Sequence, residues 1–351
     1  MRAALVWTGR WNVAALVTLG ALVVPGACKS PTAPGRNDVD GLVGPLDATF
    51  ALPGHPGRDW LLHLPPGYDG RDAIPLVVGF HGGGGKKEGL NRTTCADGDE
   101  SADNCLFAVA DREGFATVFP DGVDRPGPGG RSFHAGGGED GFRCVGGQAC
   151  ADDVDDVAFV DDLLAEVARV VEVDATRVFA TGISNGGAMS HRLACDRADV
   201  FAAIAAVGGA NQAQTSPGCT PSRPIPVLQI HGTGDPCWGF DGSTVEPLCA
   251  DPDGDGAFVD VPSSMQGWRA RNGCDGTTDT ALPDVVDDGT ASTRIDGTGC
   301  DADTTLIRID NGGHTWPGGW QYLGVDRIGP VSRDLHGSDV VWQFFAAHPR
   351  R

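Results

Sequence analysis

The 351-residue chain has little positive charge: 26 Lys and Arg face 47 Asp and Glu, for a formal net charge of −21. Lys occurs only at positions 29, 86 and 87. Such a field repels the nucleic-acid backbone and anionic lipid heads, so neither is expected as a partner. No two cysteines have the C-x-x-C spacing, which disfavours zinc ribbons and thioredoxin-like redox chemistry. There is no internal repeat and no second domain is predicted. The longest apolar stretch, Val13 to Val24, is too short for a comfortable membrane span of about 20 residues.

That stretch has another reading. Arg2 and Arg10 precede it, and Pro25-Gly26-Ala27-Cys28 ends it, as in an export signal with small residues at its cleavage point. Cys28 is a candidate lipidation site, because it follows the small residues as in a bacterial lipoprotein box. Pro25 stands where such boxes carry Leu or Val, so plain cleavage and release stays open. Residues 1–27 are thus read as a signal, 28–45 as a tether rich in Pro, Gly and Asp, and 46–351 as one catalytic domain. Removing the signal leaves 24 basic and 47 acidic residues, or −23, read here only as solubility. The expected location is secreted or lipid-anchored at the bacterial cell envelope.

Setting Cys28 aside leaves ten of the 11 cysteines, an even number that fits a disulfide framework in an exported protein. Short spacings favour Cys95 with Cys105, Cys144 with Cys150, and Cys237 with Cys249. Cys195 with Cys219 and Cys274 with Cys300 would then remain, and spacing alone does not fix this connectivity.

Strand-like and helix-like segments alternate, which predicts an α/β fold with a mostly parallel sheet flanked by helices. Strands are expected at 59–64, 75–80, 116–119, 177–181, 202–207, 227–230 and 305–309. The clearest helix is Asp152–Val173, where Val154, Val157, Val160, Leu164, Val167 and Val171 recur every three or four residues. Asp152, Asp153, Asp155 and Asp156 suit the positive end of its dipole better than they suit a metal site. Ser338 is a candidate cap for a last helix whose Val340, Val341, Phe344 and Phe345 face the core. Residues 121–151 and 236–262 read as loop-rich insertions.

Gly182-Ile183-Ser184-Asn185-Gly186 is a G-x-S-x-G between a predicted strand and a predicted helix. Alone it is a weak signal in a chain with 53 glycines; the flanking elements are what raise it. Asp235 and His314 also follow strands at their C-terminal ends, where open α/β sheets place ligands. The order Ser, Asp, His is that of the α/β-hydrolase fold. The three residue types form a chemical unit. A Ser hydroxyl needs a base to take its proton, and a carboxylate on the far nitrogen of that His holds its tautomer and stabilises the imidazolium.

The tetrahedral intermediate also needs donors for its oxyanion. The backbone N–H of Asn185 can supply one, and Gly83, or failing that Gly82, can supply the other from the run after strand 75–80. That run is not a Walker loop, because Phe80 and Lys87 stand where Gly and Ser or Thr are required. His336 rivals His314 as base but follows no strand; Asp251, Asp253 and Asp255 rival Asp235. Those three lie in "DPDGDG", which matches the first half of a calcium loop, but Pro262 occupies the position of the closing Glu. An acidic turn is the preferred reading, with calcium the weaker candidate. His81 and His231 are expected to be hydrogen-bonded structural residues. Trp238, Phe240, Trp316 and Trp320 suggest an aromatic-walled pocket.

The segments "PLVVGFHGGGG", "VDATRVFATGISNGGAMSHRLACD", "PVLQIHGTGDP", "WRARNGC" and "NGGHTWPGG" together resemble the secreted polyhydroxybutyrate depolymerase and feruloyl esterase family of α/β-hydrolases, related to carbohydrate esterase family one. The resemblance runs from about Asp59 to His348. It implies Ser184 as nucleophile, Asp235 as acid and His314 as base, and it supports pairing Cys195 with Cys219 and Cys274 with Cys300. It implies a serine esterase acting through an acyl-enzyme on hydroxyalkanoate oligomers or feruloyl and acetyl esters of plant cell walls. No cofactor and no protein partner are implied. Phe133-His134 stands where relatives often carry Trp, and the segments around Cys144–Cys150 and Cys237–Cys249 look like local additions. Specificity therefore transfers poorly. The absence of a recognisable polymer-binding domain favours soluble esters or oligomers over crystalline polymer. A serine peptidase of the same fold, or a non-catalytic surface lipoprotein binding sugar or polyester, are the competing readings.

Overall fold

The computed structural model describes residues 41–124, 130–246, 249 and 256–351. The signal, Cys28, most of the tether and the candidate calcium residues Asp251, Asp253 and Asp255 lie outside the described residues.

A ten-stranded sheet organises the domain. Its first four strands are β1 (Leu46–Ala51), β2 (Asp59–Leu64), β3 (Ile74–Phe80) and β4 (Ala116–Pro120). A separate two-stranded ribbon follows, β5 (Val123–Asp124) with β6 (Arg131–Ser132). The sheet continues through β7 (Val173–Ile183), β8 (Ala203–Val207), β9 (Val227–Gly232), β10 (Gly276–Ala281), β11 (Ala291–Thr298) and β12 (Thr304–Asp310). Its spatial order is β1-β2-β4-β3-β7-β8-β9-β12-β11-β10. The pairs from β4 through β12 are parallel, and those at both edges are antiparallel. This is an α/β-hydrolase fold in a single domain.

Composition explains which strands sit where. β3, β8 and β9 are buried at every position, as a parallel strand covered on both faces must be. β1 alternates between half-buried and exposed, and β10, GTTDTA, is exposed throughout. Both run along the edges, where water solvates one face and polar residues discourage further pairing. The polar β10 and β11 carry no apolar run, which is why the sequence pattern does not reveal them.

Eight helices cover the sheet among the described residues: α1 (Lys87–Thr94), α2 (Leu106–Glu113), α3 (Gln148–Ala151), α4 (Asp156–Val170), α5 (Asn185–Asp196), α6 (Val261–Arg271), α7 (Val325–Ile328) and α8 (Gly337–Ala347). Residues of α4, α5 and α6 join one apolar cluster with Leu76, Val78 and Ala180. Residues of α1, α2 and α8 join the other with Val77 and Phe179. Alternate residues of β3 and β7 thus feed opposite layers, as the two-residue period of a strand requires.

Two helix expectations need correction. The helix read as Asp152–Val173 begins only at Asp156, because Asp153 adopts φ 50° and ends the short α3 turn before it. Asp155 then caps α4, its side chain accepting from the Ala158 N–H at 2.9 Å. Asp156 is fully buried, paired with Arg58 and accepting from the His134 N–H at 2.6 Å. It therefore anchors the insertion rather than standing free at a charged helix end. Ser338 does not cap α8. The cap is His336, and the Ser338 hydroxyl is buried without a partner.

Five disulfides join Cys95–Cys105, Cys144–Cys150, Cys195–Cys219, Cys237–Cys249 and Cys274–Cys300. The third ties the end of α5 to the loop before β9.

Candidate active site

The neighbouring C-terminal ends of β3, β7, β8, β9 and β12 deliver, in turn, the loop from His81 to Gly85, Ser184, Gly208, Asp235 and His314. Ser184 sits at the junction of β7 and α5 with φ 58° and ψ −121°. A β-carbon rarely adopts this backbone, so the strand-to-helix turn is strained. Its neighbours make that turn feasible. A Cβ at Gly186 would come within 2.0 Å of the Phe80 carbonyl oxygen, and one at Gly209 within 2.1 Å of the Ser184 carbonyl oxygen. The turn is pinned to β8 by the Ser184 N–H donating to Val207 at 2.8 Å.

Asp235 and His314 are both buried, and His314 Nδ1 lies 2.6 Å from Asp235 Oδ2. The other carboxylate oxygen accepts the backbone N–H groups of Cys237 and Trp238, each at 2.8 Å. Burial alone would raise the Asp235 carboxyl. The His314 charge, with hydrogen bonds from His231 and His314, outweighs it and holds the group below the ordinary carboxylate range. Asp235 is therefore ionised at neutral pH, as orienting an imidazole and stabilising its cation requires. Gly208 forms the floor of the pair at φ +57°; a Cβ there would stand 3.3 Å from His314 Nδ1.

Four buried side chains extend from Asp235 into the α6 layer. The Trp268 indole N–H donates to His191 Nδ1 at 3.0 Å. An indole only donates, so His191 must carry its proton on Nε2, which donates to Gln229 Oε1 at 2.7 Å. Gln229 Nε2 then donates to His231 Nδ1 at 3.1 Å. His231 is left with its proton on Nε2, 2.7 Å from the Trp238 carbonyl and 3.4 Å from Asp235 Oδ2. One indole thus fixes, through three side chains, the tautomer that lets His231 donate to the Trp238 carbonyl beside Asp235.

The glycine loop runs beside Ser184. A Cβ at Gly82 would approach Ser184 Cβ to 3.4 Å, and one at Gly83 would approach Asn185 Cβ to 3.8 Å. The Gly84 N–H donates to Arg131 and the Gly85 N–H to Gly82, leaving those of Gly82 and Gly83 as the loop's donors for a ligand. His81 braces this loop. Its Nδ1 lies 2.8 Å from the Gly82 carbonyl, and its Nε2 accepts the Gly122 N–H at 3.1 Å. Burial pushes His81 down to about 4, so the ring is neutral. Asn185 contributes more than its backbone. Its side chain exchanges two 2.8 Å hydrogen bonds with the backbone of Phe133, clamping the insertion to the elbow.

Ser184, Asn185, His314 and the loop from His81 to Gly85 line one cavity of about 470 Å³. Its apolar wall is made by Trp238, Phe258, Tyr322, Leu323, Ile328 and Val145. The Tyr322 hydroxyl donates to the His314 carbonyl at 2.9 Å, and burial together with the Asp235 charge pushes its phenol up.

Of the four aromatics expected in the pocket, Trp238 lines it and three do not. Trp316 is fully buried under α8, where Gly337 packs against its indole. Trp320 lies under the Arg92 guanidinium, 4.3 Å from ring to cation. Phe240 turns inward against the His231 ring and the core. Sequence proximity to Asp235 and His314 does not determine which way a loop side chain points. His336 lies away from the cavity, near Asn104. Phe258 and Tyr322 were not anticipated, since neither belongs to a motif.

No protein-family model matches the chain. It is 30% identical over 294 residues to feruloyl esterase C of Emericella nidulans, covering 83% of this chain and 84% of that one. It is likewise 30% identical over 304 residues to a protein of Nocardia uniformis subsp. tsuyamanensis that carries an esterase name, covering 82% and 78%. Among solved structures, the acetyl xylan esterase from Aspergillus awamori matches 83% of this chain and 94% of its own at 14% identity, with a TM-score of 0.49.

Proposed function

Because this chain belongs to the feruloyl esterase family of carboxylic-ester hydrolases, we propose that Ser184, His314 and Asp235 are its catalytic triad. The observation that carries the reading is the convergence of a Ser at φ 58° on a strand-to-helix elbow with a buried His–Asp pair 2.6 Å apart in the wall of the same cavity. His314 takes the Ser184 proton as Oγ attacks the ester carbonyl carbon. The backbone N–H of Asn185, with that of Gly83 or Gly82, receives the oxyanion. Collapse expels the alcohol, which takes the proton from His314, and leaves an acyl group on Ser184. Water activated by the same His releases the acid.

The substrate is a carboxylic ester whose acyl or alcohol part fits a cavity walled by Trp238 and Phe258. Feruloyl and acetyl esters or hydroxyalkanoate oligomers are the classes proposed. Export, by secretion or through lipidation at Cys28, is supported by the N-terminal signal pattern and by five disulfides, which persist in oxidising compartments. Among the described residues no helix is long and apolar enough to cross a membrane.

Ser184→Ala is expected to lower kcat on 4-nitrophenyl esters by roughly 10⁶-fold with the fold intact. A fluorophosphonate probe is expected to label the native protein at Ser184. A folded variant retaining most of the parent's activity refutes the assignment.

A further inference from the structure

The charged side chains in the cavity wall have one sign. Among the described residues that line it, the ionisable groups are Lys86, Arg143, the imidazoles of His81 and His314 and the Tyr322 phenol, with no carboxylate. This reverses the character of the chain as a whole, which carries a net charge of −21. A long-range field of that sign repels anions, so two cations at the reaction cavity form a local exception. Lys86 stands exposed at the rim, whereas the adjacent Lys87 turns away and is occupied by Asp121 at 3.0 Å and Glu88 at 2.7 Å.

Arg143 has no such occupation. Its backbone is tied down, the N–H donating to Ala257 at 2.8 Å and the carbonyl accepting from Gln212 Nε2 at 2.8 Å. Its guanidinium lies 4.8 Å from the centre of the Phe258 ring, which stacks on Trp238 at 4.0 Å. All three side chains line the cavity. Nε and Nη1 of Arg143 are shut off from solvent and have no hydrogen-bond partner. Unsatisfied buried donors are costly and uncommon in folded proteins, and a charged one more so. With Nε and Nη1 enclosed and the Phe258 ring beside it, the guanidinium is a charge fixed in the cavity wall, with Nη2 as the nitrogen left to meet a ligand.

We propose that Arg143, assisted by Lys86 at the rim, binds a carboxylate carried by the ester substrate, so that the enzyme selects esters ending in an acid group. The inference rests on the triad reading above and deepens it. A carboxylate is the occupant that offsets the positive charge of a wall that supplies no carboxylate of its own, and it can accept a charge-assisted hydrogen bond from Arg143. The aromatic pair Phe258 and Trp238 would then cover the apolar body between the acid group and the scissile ester. Free-acid hydroxyalkanoate oligomers and half-esters of dicarboxylic acids have this chemistry.

Two matched pairs test it with the full-length protein, since the acid group can sit on either side of the scissile bond. One is 4-nitrophenyl hydrogen adipate against 4-nitrophenyl hexanoate; the other is the 3-hydroxybutyrate dimer against its primary amide. The readout is the ratio of kcat/KM for the charged member to that for the neutral one. Arg143→Gln is expected to lower this ratio roughly 10- to 100-fold in at least one pair, mainly through KM, as loss of a charge-assisted hydrogen bond would. Arg143→Lys should recover part of it, and Lys86→Gln should lower it less. Added salt should lower the parent's ratio. A ratio unchanged within about twofold by Arg143→Gln in both pairs overturns the carboxylate site, because a purely packing role would affect both members alike. If the parent cleaves none of the four esters, the hydrolase reading falls and the site with it. If it cleaves them and only the charge preference is missing, the site alone falls.

Discussion

Lowering the pH from 7 to 5 is expected to destabilise the fold through His81 and His191. Both rings are fully buried, and burial pushes each down to about 4, only partly offset by the Gly82 carbonyl for His81 and by Gln229 for His191. In the unfolded chain each ring titrates near 6.5. Between those values the unfolded state binds more protons than the native state, so stability rises with pH in this window and is lost as pH falls through it. Each ring then contributes a loss of about 2 kcal/mol between pH 7 and pH 5, or about 4 kcal/mol together, from linkage. Against a typical total of about 5–15 kcal/mol this is large. Below about pH 4 the native rings protonate as well and the slope from this source ends. His134, pushed down by burial and by Arg192, adds with the same sign.

The assay is equilibrium urea unfolding at pH 7 and pH 5 without reductant, comparing the parent with His191→Gln. Glutamine can accept from the Trp268 indole and donate to Gln229, but it cannot protonate. The variant's absolute stability is not the readout; the difference between the two pH values is, and it should shrink by about half. Comparing differences also cancels the relief of acidic self-repulsion, which both proteins share. A variant that loses as much stability as the parent between pH 7 and pH 5 refutes the reasoning.

Two further outcomes follow from the same geometry. Gly208→Ala places a methyl 3.3 Å from His314 Nδ1 in a left-handed conformation; kcat on a 4-nitrophenyl ester should fall about 100-fold from misplacement of the imidazole, and unchanged turnover would mean the ring tolerates displacement. Gln229→Leu leaves the His191 Nε2–H and His231 Nδ1 unpartnered, costing about 1–3 kcal/mol each. Urea midpoints should show that loss, and imidazole nitrogen NMR should show His231 no longer fixed in one tautomer.

Much of the candidate site was legible because its residues stand at places that local patterns mark. Ser184 lies between an apolar run and a helical period, and Asp235 and His314 follow the apolar runs of β9 and β12. The proposed oxyanion loop is likewise announced by four glycines after β3. The pocket wall was not legible. Trp316 and Phe240 sit close to His314 and Asp235 in sequence yet turn into the core, while Phe258 and Tyr322 reach the cavity from loops with no periodicity. The start of α4 was misplaced because a left-handed Asp153 interrupts an otherwise continuous apolar period. β10 and β11 were missed because polar strands at the margin of a sheet carry no apolar run.

The sequence alone determined the parallel core, the order in which Ser, Asp and His leave it, and an esterase resemblance. These follow from short-range periodicity and from the chain direction of parallel strands, which puts successive C-terminal ends along one rim. Only the tertiary structure decided that Arg143 stands without an ion-pair partner in the cavity wall and that His231 gives its proton to the Trp238 carbonyl beside Asp235. It also decided that Trp268, thirty-three residues beyond Asp235, sets that direction. Those facts depend on side-chain orientation and on contacts between distant segments, which no spacing along the chain encodes.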